Sequence, residues 1–127
     1  MYESITYRVI GRVENAFSAQ MAAENLLSAE SRIIMDPALQ DGLLGLEPGQ
    51  RIAVIFHFHR ARGFELRQHP RGDKHIAKRG VFTLRSPRRP NHIGLSVVDL
   101  IGLKDNVLRV QGLDALNGTP VLDIKPA

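Results

Sequence analysis

Short runs in which apolar and polar side chains alternate, each closed off by Gly, Pro, Asn or Asp, recur along most of this chain and constrain its fold more than any other feature. A period of two puts successive side chains on opposite faces of an extended backbone, so each run reads as a half-buried strand. Ile5, Tyr7 and Val9 alternate with polar neighbours, residues 32–35 form a short apolar run, and residues 51–59, RIAVIFHFH, form a stronger one. β-Branched and aromatic side chains dominate that last run, as strands favour. Further strands are expected over residues 64–69, 80–85, 95–103, 106–111 and 120–124. Between them lie Gly63, the segments HPRGDKH and SPRRPN, residues 104–106, and Asn117 with Gly118, all of which carry turn chemistry. Many short strands at this spacing predict a barrel or a sandwich.

Two segments depart from the strand pattern. Residues 18–27, SAQMAAENLL, are rich in helix formers and could open with Ser18 as a cap, and residues 37–40 suggest a helical turn. The expectation is a mainly β, single small domain over residues 1–127 with one or two short helices. At 127 residues and 43% apolar content, the chain can bury one core but not two. It has no cysteine, which excludes disulfides and Cys-based zinc sites. The first residues lack the basic and apolar regions of a signal peptide, and no apolar run is long enough to span a membrane. A soluble, cytoplasmic protein is expected, with no membrane partner and no further C-terminal domain.

Charge is unevenly spread. Residues 57–92 hold 10 Lys/Arg against 2 Asp/Glu, whereas residues 1–56 hold 4 against 7 and residues 93–127 hold 3 against 4. A segment of net charge +8 between acidic flanks points to an anionic partner, either nucleic acid or a ligand bearing phosphate or carboxylate.

The chemistry-bearing residues cluster in two places. The first is the stretch RGVFTLRSPRRPNHIGLSVVDL at residues 79–100. Arg85 would stand at the rim end of a strand, followed within a turn by Ser86, Arg88, Arg89 and Asn91. Guanidinium groups grip carboxylate or phosphate in bidentate fashion, and Pro87 and Pro90 limit the freedom of the loop that carries them. Arg85 is therefore a candidate for the anionic end of a ligand. Arg88 and Arg89 are candidates either for phosphate or for structural ion pairs. The second place is LDALNGTPVLDIKPA at the end of the chain, where Asn117, Gly118, Thr119 and Pro120 predict a tight turn before the last strand. Asp114 and Asp123 flank that turn. His57 and His59 share a face if the strand runs through both, which is a metal-ligand spacing. No compact set of further ligands follows, and no metal is expected. His69, His75 and His92 sit among arginines and read as basic surface. The chain has no Gly-X-Gly, so a dinucleotide-type pocket is disfavoured and a site built from loops at a barrel rim is expected.

These motifs resemble the TsaA-like or TrmO family, S-adenosylmethionine-dependent tRNA (adenine-N6) methyltransferases built on a β-barrel. The resemblance runs from about Tyr7 to Pro126 and is carried, in order, by RVIGRVENAF, RIAVIFHFHRARGFEL, RGVFTLRSPRRPNHIGLSVV and LDALNGTPVLDIKPA. It implies that S-adenosylmethionine is the cofactor, contacted by His59, Arg60, Arg85, Leu95, Asn117, Gly118, Thr119 and Pro120. Arg88, Arg89 and Asn91 would meet substrate phosphate. It also implies a tRNA acceptor, threonylcarbamoyl-adenosine beside the anticodon, and a homodimer. The residues leave the catalytic base open among Asp114, Asp123 and His59. Several positions depart from the family pattern: Asn15 and Ala16 replace Ser and Pro, His92 replaces Pro, Asn117 replaces Asp, and Ala127 replaces Tyr. The segment SAQMAAENLL replaces a loop that touches the cofactor in relatives. Other readings are a non-catalytic RNA-binding barrel, for which seven aromatics offer few stacking platforms, and a small-molecule methyltransferase or metal-dependent enzyme.

Overall fold

The computed structural model of the chain describes residues 2–16 and 28–127. The helix expected over residues 18–27 lies outside them. The strands are β1 (Gly11–Glu14), β2 (Glu30–Met35), β3 (Arg51–His57), β4 (Arg67–Gln68), β5 (Arg79–Gly80), β6 (Ile93–Lys104), β7 (Val107–Gln111) and β8 (Pro120–Pro126). Six of them close into a barrel in the order β1-β2-β7-β6-β3-β8, every pairing antiparallel. Closure removes the edges that an open sheet of this size would expose.

Alternation in the sequence becomes the inside and outside of this barrel. Val13, Ile33, Met35, Ile52, Val54, Phe56, Val98, Leu100, Leu108, Val110 and Val121 form one buried cluster, while their neighbours along each strand face outward. At roughly 1.5–3 kcal/mol per fully buried aliphatic or aromatic side chain, this cluster is the principal stabilising term. Asp105, with φ 54°, turns β6 into β7, as the Lys-Asp-Asn sequence predicts. Asp36 accepts from the Ala38 amide at 3.0 Å and starts the 3-10 turn of residues Pro37–Leu43, where a helical turn is expected.

Three expectations need correction. Residues 2–10 form no strand: Ile5 and Tyr7 are 70% and 68% exposed, and β1 begins only at Gly11, where pairing with β2 and β8 starts. Alternation marks an amphipathic strand only where a neighbouring strand supplies a ladder. The strand expected over residues 80–85 shrinks to Arg79–Gly80, followed by a 3-10 turn at Val81–Thr83, and that over 64–69 shrinks to Arg67–Gln68. These two short strands pair only with each other, as a ribbon outside the barrel within the basic segment. Among the described residues, no helix is long and apolar enough to cross a membrane.

Candidate functional site

The exit of β3 brings the two sequence clusters together. Arg51–His57 runs up the barrel between β6 and β8, and its last turn delivers Phe58, His59 and Arg60 to the rim. There a cleft of about 750 Å³ opens, lined by Phe56, Phe58, His59, Arg60, Arg85, Arg89, Leu95, Ser96, Asp114, Leu116 and Thr119, among others. Its apolar floor depends on Gly94. A β-carbon there would lie 2.5 Å from the Phe56 ring and 2.8 Å from that of Phe58, so only glycine lets the two rings pack edge to face at 5.2 Å.

Arg85 reaches the cleft differently from the expectation. No strand hands it to the rim; it follows the 3-10 turn at Val81–Thr83, and its guanidinium donates to the Leu95 carbonyl of β6 at 3.3 Å. Arg89 is half-buried and donates to the carbonyls of Leu84 and Ser86 at 2.9 and 3.2 Å, which braces the loop from within. Arg88 does not enter the cleft wall. It pairs with Glu65 at 2.8 Å, and the Gln68 side chain donates to its carbonyl at 2.6 Å. Of its two open roles, the structure favours the ion pair. Asn91 is exposed on the same turn and stands outside the cleft wall.

The closing motif forms the opposite wall. Leu116 to Thr119 makes a tight turn, closed by the Thr119 amide on the Leu116 carbonyl at 3.1 Å, and Gly118 takes the positive φ of 86° that the turn requires. It is not a hairpin, because β7 and β8 are not neighbours in the barrel. Thr119 is in the wall; Gly118 lies just behind, where an added β-carbon would be 4.0 Å from Nε2 of His59. Asn117 and Pro120 stand outside the wall, and Pro120 pairs with Arg12 of β1. The Asn15 amide donates to Oδ1 of Asn117 at 3.0 Å, and the Asn15 side chain donates to Ser31 and to the Ala115 carbonyl at 2.9 Å each. Two of the departures from the family pattern thus meet in one hydrogen bond.

Asp114 is the carboxylate of this cleft. Part of its surface is open to solvent, yet its carboxyl lies against the cleft wall, and that desolvation raises its pKa above the usual carboxylate value. His59 moves the other way: desolvation first, then the charges of Arg60, His57 and Arg12, lower its pKa. Asp123 belongs elsewhere. It pairs in register with Ile55 of β3 and lines a second cavity of about 960 Å³, with Leu44, Leu46 and Ile124. Its hydrogen bond from Lys125, 3.0 Å away, holds its pKa down, which removes it from the candidate bases of the cleft. The larger cavity lacks the arginine turn.

The shared face expected for His57 and His59 does not form, because β3 ends at His57. The His57 ring lies 6.3 Å from that of His92, whereas His59 meets Thr119. No group of three His, Cys, Asp or Glu capable of holding a metal occurs among the described residues. His92, which replaces the family proline, donates from Nε2 to the Gly63 carbonyl at 2.8 Å. Phe56, Phe58, Gly94 and Ser96 were not candidates from sequence. Their signal is parity: Phe56 faces Gly94 across the β3–β6 ladder, on the inward face.

The family model described as the tRNA-methyltransferase O N-terminal domain matches residues 14–127. A Pyrococcus abyssi protein named as a probable S-adenosyl-L-methionine-binding protein is 40% identical over 126 residues, which are 96% of this chain and 67% of that one. The human tRNA (adenine(37)-N6)-methyltransferase is 35% identical over 130 residues, covering 92% of this chain and 29% of the human one. The crystal structure of TrmO from Pseudomonas aeruginosa superposes with a TM-score of 0.75 at 31% identity, covering 98% of this chain and 56% of that one. The chain thus spans little more than half of that structure and under a third of the human enzyme. On the match over residues 14–127 and the shared barrel, the chain belongs to the tRNA-methyltransferase O N-terminal domain family.

Proposed function

We propose that this domain binds S-adenosylmethionine in the Arg85 cleft and directs its methyl group to the N6 of threonylcarbamoyl-adenosine beside the anticodon of a tRNA. One observation carries the reading: the arginine turn and the closing motif, distant in sequence, line a single cleft of the right size. Its residues fit the group chemically. Arg85, with Arg60 and Arg89 nearby, suits the amino-acid carboxylate; Phe56, Phe58, Leu95 and Leu116 offer an apolar slot; Asp114 places a carboxylate where a cation can approach. When bound, the cofactor supplies a methyl group on a sulfonium cation. The protein's part is to fix the acceptor amine in line with that methyl group and to exclude water, and positioning of this kind supplies much of the rate enhancement.

The names of the human relative and of the family support a tRNA acceptor. The basic segment at residues 57–92 supports a hold on tRNA phosphates, and anticodon loops present unstacked bases. Ile93, Leu95 and Val97 line the cleft yet remain 36–45% exposed, which supports a second copy covering its open side, and sedimentation would test this. Titration calorimetry tests the central reading. The protein should bind S-adenosylmethionine, and Arg85→Ala should weaken binding about tenfold or more without loss of fold. An unchanged affinity, or a folded protein that ignores this ligand, counts against the reading. Binding without transfer to tRNA would favour the non-catalytic barrel.

A further inference from the structure

Methylation of an amine releases a proton, and neither the arginines nor the apolar floor of the cleft can take it. Two groups in the cleft wall can: Asp114 and His59. A base works best when a third group fixes its orientation. Among the described residues none hydrogen-bonds the Asp114 carboxyl; only its backbone amide is held, by Ser96 at 3.4 Å. His59 is held. Its Nδ1 lies 3.5 Å from Oγ1 of Thr119, and that hydroxyl spends its single proton on the Leu116 carbonyl at 2.7 Å. Toward His59, Thr119 can therefore only accept. A hydrogen bond across this long contact needs the imidazole to donate from Nδ1, which leaves the lone pair on Nε2. Gly118 stands behind that nitrogen with no side chain to cover it.

We propose that His59, oriented by Thr119, takes the acceptor's proton at Nε2. This rests on the methyl-transfer reading above and deepens it. As the new N–C bond forms, the C–S bond breaks with its electron pair remaining on sulfur, and the proton passes from nitrogen to Nε2. Arg60, His57 and Arg12 act on the ring through their charges, and Arg85, Arg89 and Asp114 share the cleft lining with it. Those three basic groups disfavour a lasting imidazolium, so the proton moves on to solvent. The lowered pKa of His59 agrees, since a neutral ring prevails at neutral pH.

The protein without cofactor gives the first test. Two-bond ¹H–¹⁵N spectra of the imidazole should show the Nδ1–H tautomer, and Thr119→Val should shift the ring toward Nε2–H while Thr119→Ser keeps it. A predominant Nε2–H form in the unmodified protein overturns the assignment. Kinetics give the second. His59→Gln keeps a polar side chain of similar reach but cannot titrate, and should lower kcat on tRNA about 100-fold or more at saturating cofactor. The acidic limb of the pH–rate profile should vanish with it. An His59→Gln variant that retains kcat sinks the base assignment alone, whereas a chain that transfers no methyl group to any tRNA sinks the methyl-transfer reading as well.

Discussion

Asp114 and His59 face one cleft with pKa values displaced in opposite directions, and each displacement has a consequence for stability. For Asp114, burial raises the native pKa, so the folded state binds its proton more tightly than the unfolded chain. That contribution is present below the unfolded value near 3.8 and is lost as pH rises through the raised native value. Asp114→Asn should remove it: urea midpoints of the parent, measured relative to the variant, should fall as pH rises from about 4 through the native pKa and then level off. A flat difference across that range would show that the carboxyl is not desolvated. At the same scale, Asn117 illustrates a departure from pattern that the structure absorbs, since its side-chain oxygen accepts from the Asn15 amide just as a carboxylate oxygen could.

At the scale of elements, β6 does most to build the site. Its inward residues alternate as Gly94, Ser96, Val98 and Leu100, giving the cleft its floor at one end and the core its wall at the other. Gly94 is the sensitive position, because the nearest atoms to an added β-carbon are two packed rings and not the tip of a flexible chain. Gly94→Ala should destabilise the domain by about 1–3 kcal/mol, read from denaturant midpoints, and should narrow the cleft enough to weaken S-adenosylmethionine binding. A variant with unchanged stability would mean that Phe56 and Phe58 move aside at no cost. The positions of β3, β6, β7 and β8 were legible from alternation and turn residues. The failure at residues 80–85 has a local cause: Val81, Phe82 and Thr83 favour strands, but the Leu66 carbonyl takes the Val81 amide at 2.8 Å and the chain then closes into a 3-10 turn.

At the scale of the whole molecule, the charge asymmetry becomes geography. The +8 segment holds the outer β4–β5 ribbon, the arginine turn and part of the cleft lining, while the acidic flanks supply the six strands of the barrel itself. Lys74 and Lys78 are exposed in the loop leading to β5. Replacing both with alanine should weaken tRNA binding and flatten the slope of log affinity against log salt by about 0.7–0.9 for each phosphate that is no longer neutralised, with little change in cofactor affinity. Filter binding at several salt concentrations reads this. An unchanged slope would place the tRNA path elsewhere.

Sequence by itself determined the mainly β class, the basic middle, and the two motifs from which the cleft is made, because strand period and turn chemistry are local properties of a few neighbouring residues; between barrel and sandwich only the family resemblance chose. It could not decide which candidates meet. Asp114 and Asp123 flank the same turn, yet one lines the cleft and the other a second cavity, since Asp114 precedes the turn at the rim whereas Asp123 stands within β8, paired with Ile55 of β3. Nor could it find Phe56, Gly94 or the Thr119–His59 contact, which joins residues 60 positions apart. Only barrel closure sets those distances: it fixes how β3 lies between β6 and β8, and so which side chains share the rim.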